Sequence, residues 1–195
     1  MHGSQLQVLI YGLWGEVDKF KGLMIQKSSM AAEKKYILDQ STAEKKIRRM
    51  ALEILENNAD EKEIILAGIR ESGSVLAKAV QEVLTAESSI PTKLISLSLD
   101  KKTPKEVELS SQIDFAGKTI IVVDDVANSG KTLLYAMKPF LEFHPKSIQV
   151  LVLVARSHNA FPVHPDYIGV SIATTLEEHI FVEVEGDTVK GAYMQ

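Results

Sequence analysis

The chain reads as an α/β fold, a mostly parallel twisted sheet flanked by helices, on three observations. Strand-like and helix-like segments alternate three times in succession, the order that right-handed crossovers between parallel strands require. Ile64–Ala67, Thr119–Val123 and Val150–Val154 are uninterrupted apolar runs rather than in-out alternations, as befits strands covered on both faces. The composition suits one buried core: 195 residues, 45% hydrophobic and 25% charged, with 11 glycines, 6 prolines and no cysteine. That is enough chain for one domain to fold without disulfides.

The elements follow in order. Residues 1–36 match no periodic template: an apolar run at Val8–Tyr11 is interleaved with Gly12, Gly15 and Gly22 and ends in polar Gln26–Ser29. This stretch reads as an extra edge strand or a loose arm, and Met24 and Met30 leave a later start open. Ser41 followed by Glu44 has the spacing of a capping box, and Ala43, Ile47, Met50, Ala51, Ile54 and Leu55 recur at helical spacing up to Asn57 and Asn58. A short strand, Ile64–Ala67, closes at Gly68 and leads to a helix carrying Val75, Leu76, Ala79, Val80, Val83 and Leu84. Leu94–Leu99 alternates as a strand, and polar Asp100–Gly117, holding Pro104, is a long excursion. Loops of that length in compact domains are usually functional. Thr119–Val123 is the next strand, Leu133–Phe143 a helix and Val150–Val154 another strand. The remainder holds short strands at Tyr167–Ile172 and Ile180–Val184 among turns.

Charge and hydropathy exclude several classes. Twenty-two Lys and Arg against 26 Asp and Glu leave a net charge of −4, which disfavours indiscriminate coating of nucleic acid. No stretch approaches the ~18 apolar residues of a membrane span. Leu6–Trp14 lacks a basic residue before it and a cleavage site after it, so it is no secretory signal. A cytoplasmic location is the default expectation.

Ligands of open parallel sheets bind beyond the carboxyl ends of the strands. There the chain runs Val122-Val123-Asp124-Asp125-Val126-Ala127-Asn128-Ser129-Gly130-Lys131-Thr132. Backbone N–H groups of Asn128 to Thr132, the Ser129 and Thr132 hydroxyls and a helix N-terminus suit a phosphate dianion, and Gly130 permits close approach. Asp124 and Asp125 are acceptors suited to vicinal ribose hydroxyls or to water on Mg²⁺. The spacing is not that of a Walker loop. A phospho-acceptor receiver domain carries such an acidic pair near its start, whereas only 70 residues follow Asp125 here.

These residues resemble the phosphoribosyl-pyrophosphate motif of the type I phosphoribosyltransferases. The resemblance runs from about Ile37 to the C-terminus and comes nearest to the bifunctional pyrimidine operon attenuator/uracil phosphoribosyltransferase family. Gly68–Gly73, Ser147–Gln149, Arg156-Ser157-His158 and Pro165–Gly169 carry it, with Ala127 and Asn128 departing from the commonest form. It implies the type I phosphoribosyltransferase fold over residues 37–195, behind an extension of residues 1–36. It also implies Mg²⁺, phosphoribosyl pyrophosphate and a nucleobase, with uracil giving UMP, and a homodimer or larger assembly.

By the same resemblance Asp124, Asp125 and Arg70 are the catalytic set. The two acids hold the ribose and the metal, and Arg70, Glu71, Ser72 and Gly73 grip the pyrophosphate. Asn128, Ser129, Gly130, Lys131 and Thr132 hold the 5′-phosphate, and Arg156 borders the base pocket. The family's usual Lys and Arg positions stand here as Arg70 and Ser72, one positive charge fewer. Asn128 replaces an Asp that purine-salvage relatives use near the base. Asp100–Gln112 occupies the place of a closing loop, with Lys101, Lys102 and Lys105 as candidate partners of the leaving group. His158 and His164 lack further ligands, so zinc is not expected. The span Lys27–Arg49 holds seven basic and three acidic residues. Lys45, Lys46, Arg48 and Arg49 there mark the alternative function, a nucleotide-sensing regulator that contacts the RNA of pyrimidine genes. A third reading is a pocket that binds a phosphorylated metabolite without chemistry.

Overall fold

A computed structural model describes residues 34–100, 106–157, 160–174 and 178–195. Most of the N-terminal segment, Lys101, Lys102, Lys105, His158 and Asn159 lie outside the described residues. All the elements below belong to the compact unit Lys35–Gln195.

Strands β2 (Ile64–Ile69), β3 (Thr92–Ser98), β4 (Glu108–Leu109), β5 (Thr119–Ala127), β6 (Ser147–Arg156) and β7 (Tyr167–Ile172) form one sheet in the order β4-β3-β2-β5-β6-β7. All neighbours in it are parallel except β3 and β4. Strands β1 (Lys35–Leu38), β9 (Thr188–Met194) and β8 (Ile180–Glu185) make a separate antiparallel sheet in that order.

The apolar runs are buried on both faces, as their composition requires. Ile64, Leu66, Ile121, Val123, Leu151 and Leu153 face one core, shared with helices α1 (Gln40–Asn57) and α2 (Ser72–Glu87). Ile65, Ala67, Ile120, Val122, Val150 and Val152 face a second core, shared with α3 (Lys131–Leu141), Phe115 and Phe140. The alternation follows from side chains of successive strand residues pointing to opposite faces.

Several boundaries differ from those the sequence predicts. Helix α1 is capped by Asp39, whose carboxylate accepts the Thr42 N–H at 2.7 Å, and not by Ser41. The cause is β1: its pairing with β9 delivers the chain to the helix at Asp39. Glu44, the other half of the expected box, instead accepts from Gln40 Nε2 at 2.9 Å. Strand β3 starts two residues early, at Thr92, and the excursion after it contains β4, which pairs back onto Leu97 and Ser98. Strand β5 continues past Val123 through both acids to Ala127, because β6 offers backbone partners as far as Ala155. Helix α3 begins at Lys131 and stops at Leu141, two residues beyond Pro139, which removes a helical hydrogen bond. The Tyr167–Ile172 strand stands as read, whereas β1 and β9 emerge only in the structure.

Candidate active site

Strand β5 delivers Asp124 and Asp125 to the floor of a cleft of about 470 Å³ at the carboxyl end of the large sheet. Asp124 is 2% exposed, and Asp125 is half-buried. Each carboxylate is oriented by a neighbouring amide: Asp124 Oδ1 accepts from Asp125 N at 3.0 Å and Asp125 Oδ1 from Val126 N at 2.9 Å. Helix α2 presses against the first acid through Gly73, where a Cβ would lie 2.7 Å from the Val123 carbonyl oxygen and 3.4 Å from Asp124 Oδ1. Only glycine admits that approach.

Beyond the acids the chain turns through Asn128, Ser129 and Gly130 into α3, and all of Asn128–Thr132 lines the cleft. Gly130 is the N-cap at φ 80°, a left-handed conformation that glycine adopts without steric cost. The loop is braced from behind: the Ser129 carbonyl accepts from Ala160 N at 3.1 Å and Phe161 N at 3.0 Å. Asn128 Oδ1 accepts from Arg156 Nη1 at 2.8 Å, tying the loop to the end of β6.

The opposite lip is the start of α2. Ser72 lines the cleft, Arg70 and Glu71 are exposed beside it, and the peptide bond between those two is cis. Neither Glu71 nor Gly130, the N-caps of α2 and α3, makes a side-chain capping bond, whereas α1, which lines no part of the cleft, is capped by Asp39. Lys131 N donates to Ser129 Oγ at 3.4 Å and Ser74 N to the Glu71 carbonyl at 3.2 Å, and the remaining first-turn amides beside the cleft suit an anion.

Of the residues expected at the site, Asp124, Asp125, Ser72 and Asn128–Thr132 line one cleft. Gly73 and Arg156 stand behind that lining, against Asp124 and Asn128, and Arg70 and Glu71 stand at its rim. Sequence reasoning missed Ile180, Phe181 and Val182 of β8, which form the facing wall. Phe181 is 45% exposed and stacks on Tyr193 with centroids 5.4 Å apart. The aromatic Phe181 within the apolar Ile180–Val184 stretch was the available signal, but nothing local linked it to Asp125, 56 residues earlier.

The basic stretch of α1 lies outside this cleft. Arg48 pairs with Glu87 at 2.7 Å, and Arg49 bonds Glu53 and the Ile168 carbonyl. Lys45 and Lys46 remain as the candidate RNA contacts.

The donor set fits Mg²⁺, a hard cation that takes one or two carboxylates and completes its shell with substrate oxygens and water. Asp124 and Asp125 are the residues that would hold it, beside two helix N-termini. Among the described residues no cluster of three or more His, Asp or Glu side chains forms a protein-only metal cage, and none is needed for a metal shared with substrate. No helix among them is long and apolar enough to cross a membrane.

Comparison with known proteins agrees with this geometry. The family model described as "Phosphoribosyl transferase domain" matches residues 34–186. The chain is similar to "Bifunctional protein PyrR" of Haemophilus ducreyi, 32% identical over 161 residues that cover 77% of this chain and 90% of that one. It is similarly related to the protein of that name from Streptococcus pneumoniae, 33% identical over 156 residues with 77% and 90% covered. Among solved structures it resembles a hypoxanthine-guanine phosphoribosyltransferase of Bacillus anthracis, with TM-score 0.66, 18% identity, and 80% of this chain and 95% of the other covered. A hypoxanthine phosphoribosyltransferase of Trypanosoma cruzi in complex with IMP gives TM-score 0.63 and 16% identity, covering 74% and 82%. At those identities the likeness concerns the fold.

Proposed function

The chain belongs to the phosphoribosyl transferase domain family, and on that premise we propose that it is a cytoplasmic, Mg²⁺-dependent enzyme that transfers ribose 5-phosphate from phosphoribosyl pyrophosphate to uracil, giving UMP. The observation that carries this reading is the meeting in one cleft of a paired acid and two helix N-termini whose N-cap residues make no side-chain capping bond. A phosphorylated ribose bearing a second anion needs that combination.

In the reaction the bond from the anomeric carbon to pyrophosphate breaks and a bond to a ring nitrogen of the base forms, through an oxocarbenium-like state. Bound Mg²⁺ would neutralise charge on the departing pyrophosphate. The protein contributes position and electrostatics. Asp124 and Asp125 fix the ribose hydroxyls and stabilise positive charge at the sugar. Asn128–Thr132 hold the 5′-phosphate on the α3 N-terminus. Arg70, Glu71, Ser72 and Gly73 form the pyrophosphate lip, where Arg70 supplies the cation and α2 the amides, partly making up for the charge that Ser72 lacks. Arg156 and the β8 wall bound the base. Uracil is favoured by the sequence resemblance and by Asn128 in place of the purine enzymes' acid.

The test is incubation with phosphoribosyl pyrophosphate, Mg²⁺ and a panel of bases, following pyrophosphate and nucleotide together. Uracil-dependent release is the expected result. Release with hypoxanthine alone would move the substrate to the purines. No release with any base, alongside calorimetric binding of phosphoribosyl pyrophosphate, would make the pocket a sensor. RNA binding through Lys45 and Lys46 would then be the next measurement.

A further inference from the structure

We propose that Asn128, oriented by Arg156, reads the base through a donated hydrogen bond and so selects a ring carbonyl over an amino group; this rests on the transferase reading above. Arg156 ends β6, and its Nη1 lies 2.8 Å from Asn128 Oδ1. A guanidinium has donors and no acceptor, so the amide atom facing it must be the oxygen. That contact removes the ambiguity of an asparagine side chain, which otherwise presents either end with equal ease. The NH₂ group is thereby the end left for a ligand.

Asn128 is exposed and lines the cleft between the acid pair and the wall formed by Ile180, Phe181 and Val182. That wall is apolar in its side chains and suits the face of a flat ring. Reading of the ring's edge therefore falls to a polar group such as the Asn128 amide. A donor at this point pairs with the 4-carbonyl of uracil. Against the 4-amino group of cytosine it meets another donor, and both are left unsatisfied. Arg156 acts through Asn128 and is a positioning residue.

The pair is tested by two measurements on the full chain: kcat/KM for uracil and cytosine, and calorimetric affinity for UMP and CMP. The wild type prefers the uracil compound in both by about 10-fold or more, the scale of one mispaired hydrogen bond. Asn128→Asp presents acceptors only, so it should collapse or reverse the UMP-to-CMP ratio, a ratio that divides out any weakening of phosphate binding common to both nucleotides. Arg156→Met releases the amide and should shrink the same ratio, and Arg156→Lys, which keeps one donor, should restore part of it. Asn128 is exposed, so its variants fold. An unchanged ratio in Asn128→Asp and Arg156→Met overturns the proposal even if uracil is turned over. Absence of turnover with any base, together with a ratio that collapses in Asn128→Asp, overturns the transferase reading and leaves base reading standing.

Discussion

Gly130 turns the chain from β5 into α3 at φ 80°, and a Cβ there would lie 3.3 Å from the Phe161 carbonyl oxygen. Gly130→Ala meets both a left-handed backbone and a crowded neighbour, so urea unfolding should show a loss of about 1–2 kcal/mol. Kinetics should show a raised KM for phosphoribosyl pyrophosphate, since the same turn aims the loop amides. Asp124 poses a different question, because Asn keeps its shape and its bond from Asp125 N while removing the charge. Asp124→Asn should lower kcat/KM by roughly 10²-fold, the usual scale for losing one preorganised electrostatic group, with the melting temperature unchanged. If replacing both acids with Asn leaves turnover intact, their catalytic assignment is wrong.

Between elements, two polar clusters carry specific burdens. Where α1 ends, Asn58 donates to Tyr167 Oη at 3.2 Å and to Gln149 Oε1 at 3.1 Å, while Tyr167 donates to Gln149 Oε1 at 2.9 Å. Asn58 is 4% exposed and Tyr167 2%, so these bonds join α1, β6 and β7 away from water. Tyr167→Phe removes the bond donated to Gln149, while Asn58 Nδ2 keeps the Ile54 carbonyl and Gln149 Oε1 as acceptors, so it should cost about 1 kcal/mol by chemical denaturation. Also at the amino-terminal end of the parallel strands, Glu63, just before β2, takes Lys93 at 2.9 Å and Lys118 at 3.0 Å, which hold its carboxyl below the ordinary value of 4.5. A carboxyl whose folded pKa is depressed stabilises the fold above its unfolded pKa, and that stability is lost as pH falls through the lowered folded value. Wild-type stability should therefore decline below about pH 4.5 more steeply than that of Glu63→Gln, and matching slopes would show that the pair contributes nothing. Helices and central strands were legible at this scale because burial on one or two faces leaves a period in the residues themselves. Strand β1 was not, since four residues pairing with Met194, Tyr193 and Ala192 leave no period to read.

For the whole molecule, one cleft takes its floor from the large sheet and a wall from the small one. A ligand that bridges them binds the folded chain alone, so phosphoribosyl pyrophosphate with Mg²⁺ at 100 times its Kd should add about 2.7 kcal/mol by linkage. Scanning calorimetry should show that upward shift in the wild type and a smaller one in Asp124→Asn; no shift in the wild type would mean that the cleft does not take this ligand. The residues alone determined the α/β class and the placing of the two acids and the Asn128–Thr132 turn at one strand end. Each of those is written within a few contiguous positions as a period, a glycine or a charge. Tertiary structure decided the rest: that Arg156 meets Asn128, that Gly73 underlies Asp124, and that Phe181 closes the cleft. Those contacts join residues tens of positions apart, and no local propensity encodes a meeting that depends on how the strands are ordered in the sheets.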